Sequence, residues 1–403
     1  MTSMSTLPKA IRFPLFILML NLFIALLGQG MLIPILPEYL KLFHAGGTVA
    51  GFLVAAFGAA QFFFSPLGGQ LSDRFGRKKL IMAGMFLSVV SDIIFALSTA
   101  LPFLYVARFI GGISLGLMVP ANLAYVADIT TPETRAKGMG YFGAAMNLGM
   151  VLGPGLGGLI AEMGIRMPYF FAAGLGLIAA LMTLLLPETL PPEKRTVSIR
   201  LQKGDHLGKK IWSSFKVPYF KYLIVLLVTT FGLMSYETVF ALFAEQKYGF
   251  NAATISIIIT LGAIIGIVVQ IWLLDWFVQR IGEVKLIRLS LIITPIALLL
   301  MLIKVNLVFL LFASALFFAF NSFLRPSVST LISKNAGDRQ GYASGLNTTF
   351  SSLGTVIGPL IAGLLFDKNI NFPYIFGAIM LLASLGLTLN AFRSKKGQRY
   401  TSE

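Results

Sequence analysis

Apolar runs of about 20 residues recur along almost the whole chain, and they constrain its fold more than any other feature. A helix of that length crosses the roughly 30 Å of hydrocarbon in a bilayer. The runs lack the strict alternation that is typical of transmembrane β-strands. The sequence therefore predicts an all-α membrane protein with about twelve transmembrane helices. We place them near residues 14–37, 48–70, 80–98, 102–125, 137–162, 168–187, 219–245, 251–274, 284–304, 306–333, 340–366 and 372–393.

The charged residues are few, and their placement predicts the topology. They make up 12% of the chain, about half of the fraction usual in soluble proteins. With the N-terminus inside, the inner connections and both tails hold about 25 of the 32 Lys and Arg residues, against about five in the outer loops. Both termini are therefore expected in the cytoplasm. The net charge of +16 then indicates contact with membrane lipids rather than with nucleic acid.

Several classes of chemistry have no support in the sequence. There is no cysteine, and the two histidines, His44 and His206, fall in predicted loops, so no metal site and no catalytic site is expected. No G-x-x-x-x-G-K-[ST] motif is present, so no nucleotide partner is expected. The chain is not expected to be an enzyme, and no cofactor is expected other than protons as a coupling ion.

One long basic connection divides the predicted spans six and six. Its length and charge suit a tether or an amphipathic segment on the inner leaflet. The predicted division is a six-helix bundle over residues 1–187, a cytoplasmic linker over 188–218, a second six-helix bundle over 219–393 and a cytoplasmic tail over 394–403.

The two halves read as copies of one another. Pro120 matches Pro326, and the pair Gly153-Pro154 matches Gly358-Pro359, with one residue gapped between the two matches. Two parallel six-helix repeats with a binding site between them is a recurrent transporter plan. The sequence therefore predicts two pseudo-symmetric six-helix bundles.

The string GQLSDRFGRKK at residues 69–79 connects predicted spans 2 and 3, and we call it the 69–79 loop. Glycines permit a tight turn, and an acid can cap the next helix or pair with a facing cation. We interpret the loop as a conformational latch, with a simple topological turn as the alternative. The residues concerned are Gly69, Asp73, Arg74, Gly76 and Arg77.

Predicted span 5 carries small residues at every fourth position around a proline. Such a stripe lets a neighbouring helix pack closely, and the proline bends the helix. A hinge and ordinary tight packing both explain the pattern, which recurs in span 11. The residues are Gly149, Gly153, Pro154, Gly157 and Gly158, with Gly358 and Pro359 in span 11.

Three ionisable residues inside predicted spans are the main candidates for a functional role: Glu237, Arg108 and Arg325. A charge in hydrocarbon is costly, so such residues usually line a cavity or an ion path. Because an apolar setting favours the neutral form of a carboxyl group, Glu237 can take up and release a proton. The alternatives are a fixed hydrogen-bonding role for Glu237 and, for each arginine, extension of the side chain to the membrane interface.

These motifs together resemble a known family. The 69–79 loop, the segment RFIGG at residues 108–112 and the glycine-rich segment at residues 149–158 are similar to signature motifs of the major facilitator superfamily. The whole chain resembles its twelve-span drug:proton antiporters, above all the NorA-type quinolone and multidrug efflux pumps of Gram-positive bacteria. The resemblance implies a multi-pass protein of the bacterial inner membrane that exports amphipathic, often cationic compounds in exchange for protons. It also implies a part in proton coupling for Arg108.

The resemblance selects candidate substrate contacts from the polar and aromatic residues within the spans. Isolated polar residues usually join helices, but four lie on spans that line the cavity in the family. Aromatic faces attract organic cations, and three phenylalanines lie near the polar positions. The candidates are Gln61, Asn147, Glu237, Phe240, Phe317, Asn321, Asn347 and Phe350.

One position departs from the family pattern. NorA-type pumps have a second acid three residues before the span-10 arginine, where this chain has Ser322. Either Glu237 carries the proton alone or another acid contributes, with Asp92 as a candidate. The more ordinary interpretation of Asp92 is a local hydrogen bond on a peripheral helix. A dedicated exporter of one metabolite or lipid, and an uptake proton symporter, remain alternative functions.

Overall fold

The computed structural model describes residues 8–195, 214–215, 217–337 and 339–389. Much of the predicted 188–218 linker and all of the 394–403 tail lie outside the described residues. Over the described ranges the chain forms twelve long helices. They are α1 Lys9–Leu42, α2 Gly47–Phe75, α3 Arg77–Leu97, α4 Leu101–Ile129, α5 Pro132–Ala161, α6 Met167–Thr183, α7 Phe220–Tyr248, α8 Ala252–Ile281, α9 Glu283–Leu300, α10 Leu307–Lys334, α11 Gln340–Lys368 and α12 Phe372–Leu389.

Each helix overlaps one of the twelve predicted spans, which confirms the predicted all-α membrane fold. Nine helices in the described part of the chain are long and apolar enough to cross a membrane by length and composition. The apolar parts of α6 and α12 are shorter. Helix α8 contains a π-helical turn at Val269–Leu273, and a 3₁₀ turn at Pro192–Lys194 follows α6.

Local residues explain where several helices begin and end. The Asn306 side chain accepts a hydrogen bond from the Phe309 amide at 2.9 Å and so caps α10. Thr131 and Thr134 form a capping box at the start of α5. Helix α7 ends at Gly249, whose φ of +76° suits glycine. These caps satisfy amide and carbonyl groups that helix ends leave without intrahelical partners.

The helices pack into two compact units. The first comprises the described residues of Met1–Ala45, Phe52–Lys203 and Asn251–Ile257. The second comprises those of Gly46–Gly51, Gly204–Phe250 and Ile258–Glu403. By these ranges the first turn of α2 is grouped with the second unit and the first turn of α8 with the first unit. The predicted boundary within the basic linker stays a prediction.

Within each unit the helices pair in the same pattern. In the first unit α1 packs against α5 and α6, and α3 packs against α4 and α6. In the second unit α7 packs against α11 and α12, and α9 packs against α10 and α12. The two sets of pairings correspond when α1 to α6 of the first half are aligned in order with α7 to α12 of the second half.

Candidate functional site

The 69–79 loop turns between α2 and α3 and is held by a charge network around Arg77. This residue is 8% exposed. Its guanidinium forms an ion pair with Asp73, donates to the Ser72 hydroxyl at 3.1 Å and donates from Nε to Asp128 Oδ2 at 3.3 Å. Because Asp128 lies at the end of α4, one arginine joins the ends of three helices.

Glu188, just after α6, completes this network. Its Oε1 accepts hydrogen bonds from the backbone amides of Arg77 at 2.9 Å, Thr189 at 3.0 Å and Leu190 at 3.1 Å. Gly76 has φ +104°, and a Cβ there would stand 2.3 Å from Glu188 Oε2. Only glycine therefore fits this turn without strain. Sequence reasoning missed Asp128 and Glu188, although two acids on the side rich in basic residues were an available signal.

The other loop candidates lie outside this network. A Cβ on Gly69 would meet nothing within 4 Å. Arg74 is exposed, and its guanidinium carbon lies 5.2 Å from the centroid of the Phe75 ring. The network explains how the first unit holds the turn, and the role of the loop as a latch stays a prediction.

The glycine stripe of α5 packs directly on the backbone of α1. A Cβ on Gly149 would lie 2.6 Å from the Phe23 carbonyl oxygen, and one on Gly157 would lie 2.6 Å from that of Met31. Pro154 is part of the same contact, because its Cδ would lie 3.0 Å from a Cβ on Gly30. The stripe was interpreted either as a hinge or as a surface for close packing, and these distances support close packing. A role of the stripe as a hinge stays a prediction.

The stripe has a second contact and a counterpart in the second unit. A Cβ on Gly158 would lie 2.5 Å from that of Ser256, at the start of α8. On α11, a Cβ on Gly358 would lie 2.8 Å from the Phe231 carbonyl oxygen of α7. The Ser235 hydroxyl donates to the Gly358 carbonyl at 3.2 Å, beside Pro359. In both the α1–α5 and the α7–α11 contact, glycines of one helix thus pack against backbone carbonyl groups of the other.

Arg108 is buried inside the first unit. It is 7% exposed, and its guanidinium carbon lies 4.4 Å from the centroid of the Phe57 ring. An aromatic face attracts such a cation. Arg108 lines a small cavity together with Asp92 of α3. This burial does not favour extension of the Arg108 side chain to the membrane interface, and its part in proton coupling stays a prediction.

Asp92 corrects a second expectation. The sequence suggested a local hydrogen bond on a peripheral helix, but the described part of the chain gives its carboxylate no hydrogen bond. A Cβ on Gly28 of α1 would lie 3.6 Å from Asp92 Oδ2. The carboxylate thus points into the first unit, toward α1.

Glu237 lies on α7 between the buried residues Tyr236 and Thr238 and is itself partly buried. Its carboxylate makes no hydrogen bond or ion pair with any described residue. Two turns earlier, the Thr230 hydroxyl approaches that of Ser351 on α11 at 3.5 Å. A carboxyl group without a partner in an apolar helix is free to exchange a proton or to attract a cation.

Arg325 differs from Arg108 in its surroundings. It is exposed on α10, and none of the described residues pairs with it. Asn321, one turn before it, is buried. The second unit therefore has an exposed guanidinium at Arg325 and a buried amide one helical turn earlier at Asn321.

The remaining polar candidates differ in exposure. Gln61 on α2 and Asn347 on α11 are partly buried, whereas Asn147 on α5 is exposed. None of the three makes a hydrogen bond to another described residue. These side chains have free hydrogen-bonding capacity, and their contact with substrate stays a prediction.

The three candidate phenylalanines lie in the interior of the second unit. The Phe240 and Phe317 rings stack on Tyr236, with centroid distances of 4.7 and 4.5 Å. Phe350 is buried and meets Phe220 edge-on at 6.2 Å. Their observed role is core packing, and their contact with substrate stays a prediction.

Comparison with known proteins places these features in a family. The chain matches the family model "Major Facilitator Superfamily" over residues 18–277 and 247–402. It is 40% identical to multidrug resistance protein 2 of Bacillus subtilis (strain 168) over 381 residues, which cover 94% of this chain and 95% of that protein. It is 39% identical to quinolone resistance protein NorA of Staphylococcus aureus (strain MRSA252) over 377 residues, 93% of this chain and 95% of NorA.

Solved structures agree on the fold. The nucleoside transporter NupG superimposes with a TM-score of 0.75 at 16% identity, covering 93% of this chain and 97% of NupG. The human organic anion transporter MFSD10 superimposes with a TM-score of 0.68 at 24% identity, covering 95% of this chain and 100% of MFSD10. With its twelve helices, its repeated helix pairing and these matches, the chain belongs to the Major Facilitator Superfamily.

Proposed function

We propose that this protein is a proton-coupled multidrug efflux antiporter that exports amphipathic, often cationic compounds such as quinolones and dyes. The observation that carries the proposal is the similarity to two proteins named for drug resistance, at 39–40% identity over 93–94% of the chain. The unpartnered carboxylate of Glu237 in an apolar helix supports it independently.

Glu237 is the group that couples protons to drug. As the ionised form it attracts a cationic substrate, and as the neutral form it does not, so proton and drug compete for one charge. Burial in an apolar helix makes this competition strong, because a nearby charge acts with little screening there. Arg108 and Arg325 supply fixed positive charges, since arginine stays protonated at every relevant pH.

Substrate contacts come from side chains with free hydrogen-bonding capacity. Gln61, Asn147 and Asn347 are at least partly exposed, and Asn321 is buried one helical turn before Arg325. Amide side chains both donate and accept hydrogen bonds, which suits compounds of varied chemistry. Phe240, Phe317 and Phe350 contact substrate only after the aromatic core rearranges.

Transport proceeds by alternating access in the cytoplasmic membrane, with both termini in the cytoplasm. The glycines of α5 and α11 support sliding or bending at the α1–α5 and α7–α11 contacts, because they place no side chain of their own between the helices. The Arg77 network supports a latch, since its hydrogen bonds and ion pairs join the ends of α2, α3 and α4. Membrane lipids surround the protein, and neither nucleotide nor nucleic acid takes part.

Proteoliposomes with an imposed pH gradient test the proposal. Transport of ethidium, tetraphenylphosphonium and a fluoroquinolone is followed with and without the gradient, in the wild-type protein and in Glu237→Gln. Glu162→Gln, at the exposed end of α5, is the matched control. We expect all three compounds to move against the direction of proton flow, with the movement lost in Glu237→Gln alone.

Two results would overturn the proposal. Transport of only one of the three compounds would indicate a dedicated exporter. Accumulation of substrate in the direction of proton flow would indicate an uptake symporter.

A further inference from the structure

The cavity beside Arg108 holds an acid that the proposed mechanism does not use. Helices α1, α2, α3, α4 and α6 line it, and its polar residues are Gln29, Ser88, Ser91, Asp92, Arg108 and Tyr169. About 20 Å³ is available to the centre of a water molecule. That is room for one ordered water and too little for a drug. The cavity is therefore large enough for water and too small for a drug.

Two nearly buried side chains of the cavity have polar atoms without partners. Arg108 is 7% exposed, and no described residue accepts a hydrogen bond from its Nε. Tyr169 on α6 is 3% exposed, and its hydroxyl has no partner among the described residues. Buried polar groups are nearly always hydrogen-bonded to protein or water. These two groups therefore indicate a polar ligand between them.

The charged and titratable groups that face Asp92 are few. Arg108 comes from α4 and Tyr169 from α6, whereas α1 contributes the neutral Gln29 and α2 the ring of Phe57. Behind Tyr169 lies Tyr39, with its ring centroid 5.7 Å away. On α3 itself, the Ser91 hydroxyl donates to the Ala107 carbonyl at 2.7 Å. Among the residues that line the cavity, Asp92 is the one acid that can balance Arg108.

We propose that Asp92 is a second proton-binding carboxyl group of the transport cycle, paired with Arg108 through water in this cavity. The proposal rests on the proposed function and supplies the second acid that Ser322 leaves out. Taking up a proton converts the carboxylate to a neutral carboxylic acid, with no other bond formed or broken. Arg108 then lacks its counter-charge in a buried site, which is strongly unfavourable. Protonation of Asp92 therefore favours a rearrangement of the first unit around Arg108.

Infrared spectroscopy of the full-length protein in lipid tests this without any transported substrate. A carboxylic acid absorbs at a different frequency from a carboxylate, and the spectrum is recorded as the pH is lowered from about 9 to 6. Exposed acids stay ionised over that range, because their ordinary pKa lies near 4. The parent is Glu237→Gln, so that Glu237 contributes no band. Asp92→Asn is the test variant in that background, and Asp275→Asn, an exposed acid of α8, is the control.

We expect the parent to develop a carboxylic-acid band that Asp92→Asn removes and Asp275→Asn retains. If Asp92→Asn fails to fold, labelling the parent with aspartate carrying ¹³C in its carboxyl group serves instead, and the band should shift. A band that persists in Asp92→Asn, a band insensitive to the label, or no band at all in the parent would overturn the inference. Failure of drug export in proteoliposomes would overturn the proposed function and leave the infrared result standing.

Discussion

The backbone of Gly153 on α5 lies so close to α1 that a Cβ there would stand 2.7 Å from the Leu27 carbonyl oxygen. The next nearest atom also belongs to the α1 backbone, since the same Cβ would lie 2.8 Å from the Gly30 Cα. Backbone atoms of packed helices cannot move aside as a flexible side chain can. The two helices therefore require glycine at this position to keep their separation.

Gly153→Ala should separate α1 from α5 and lower the melting temperature of the protein in detergent. Gly143→Ala is the matched control on the same helix, because a Cβ at position 143 would meet nothing within 4 Å. Replacing glycine by alanine in a helix otherwise stabilises it by up to about 1 kcal/mol, so the control should be neutral or slightly stabilised. Equal melting temperatures for the two variants would show that the contact at Gly153 is not tight.

Arg77→Ala should destabilise the first unit. The change removes the hydrogen bonds to Ser72 and Asp128 and the ion pair with Asp73. Hydrogen bonds to charged groups contribute about 1.5–3 kcal/mol, so a clear drop in thermal stability is expected. Arg74→Ala is the control, since that side chain is exposed and belongs to the same loop. A similar small effect of both changes would contradict the network.

Phe317→Ala tests whether the aromatic cluster around Tyr236 is core or binding surface. Phe317 is 0% exposed, and replacing a buried Phe by Ala lowers the free energy of unfolding by about 3–5 kcal/mol. Phe312→Ala, on the same helix at 57% exposure, should change stability by about 0.5 kcal/mol or less. Melting temperature is measured together with the affinities for two unrelated cations. Unchanged stability with an altered affinity for only one cation would assign Phe317 to the binding surface.

The sequence predicted the helices well, because a bilayer demands a minimum apolar length whatever the packing inside. It also located Glu237, Arg108 and Arg325, since a charge in an apolar run stands out. It could not predict which way each helix faces, because α7 and α10 are apolar on every side and have no polar stripe to orient them. The sequence therefore did not show that Phe240 and Phe317 are buried, and their contact with substrate stays a prediction.

The specific partners in long-range contacts were also not predicted. Arg77 meets Asp128, which is 51 residues away, and Glu188, which is 111 residues away. Nothing in the spacing of the 69–79 loop indicates either partner. The glycine stripe had two explanations because packing and bending favour the same small residues. The distances from Gly153 to the α1 backbone were needed to show that close packing occurs.

The central claim is that proton and drug compete for the charge of Glu237. The most direct test is the affinity of the purified protein for tetraphenylphosphonium as a function of pH. In the wild-type protein the dissociation constant should rise as pH falls. The rise should reach about tenfold per pH unit in the range where most of the drug-free protein has Glu237 protonated. In Glu237→Gln the affinity should be weaker and nearly independent of pH. A Glu237→Gln variant that kept the wild-type pH dependence would contradict the account.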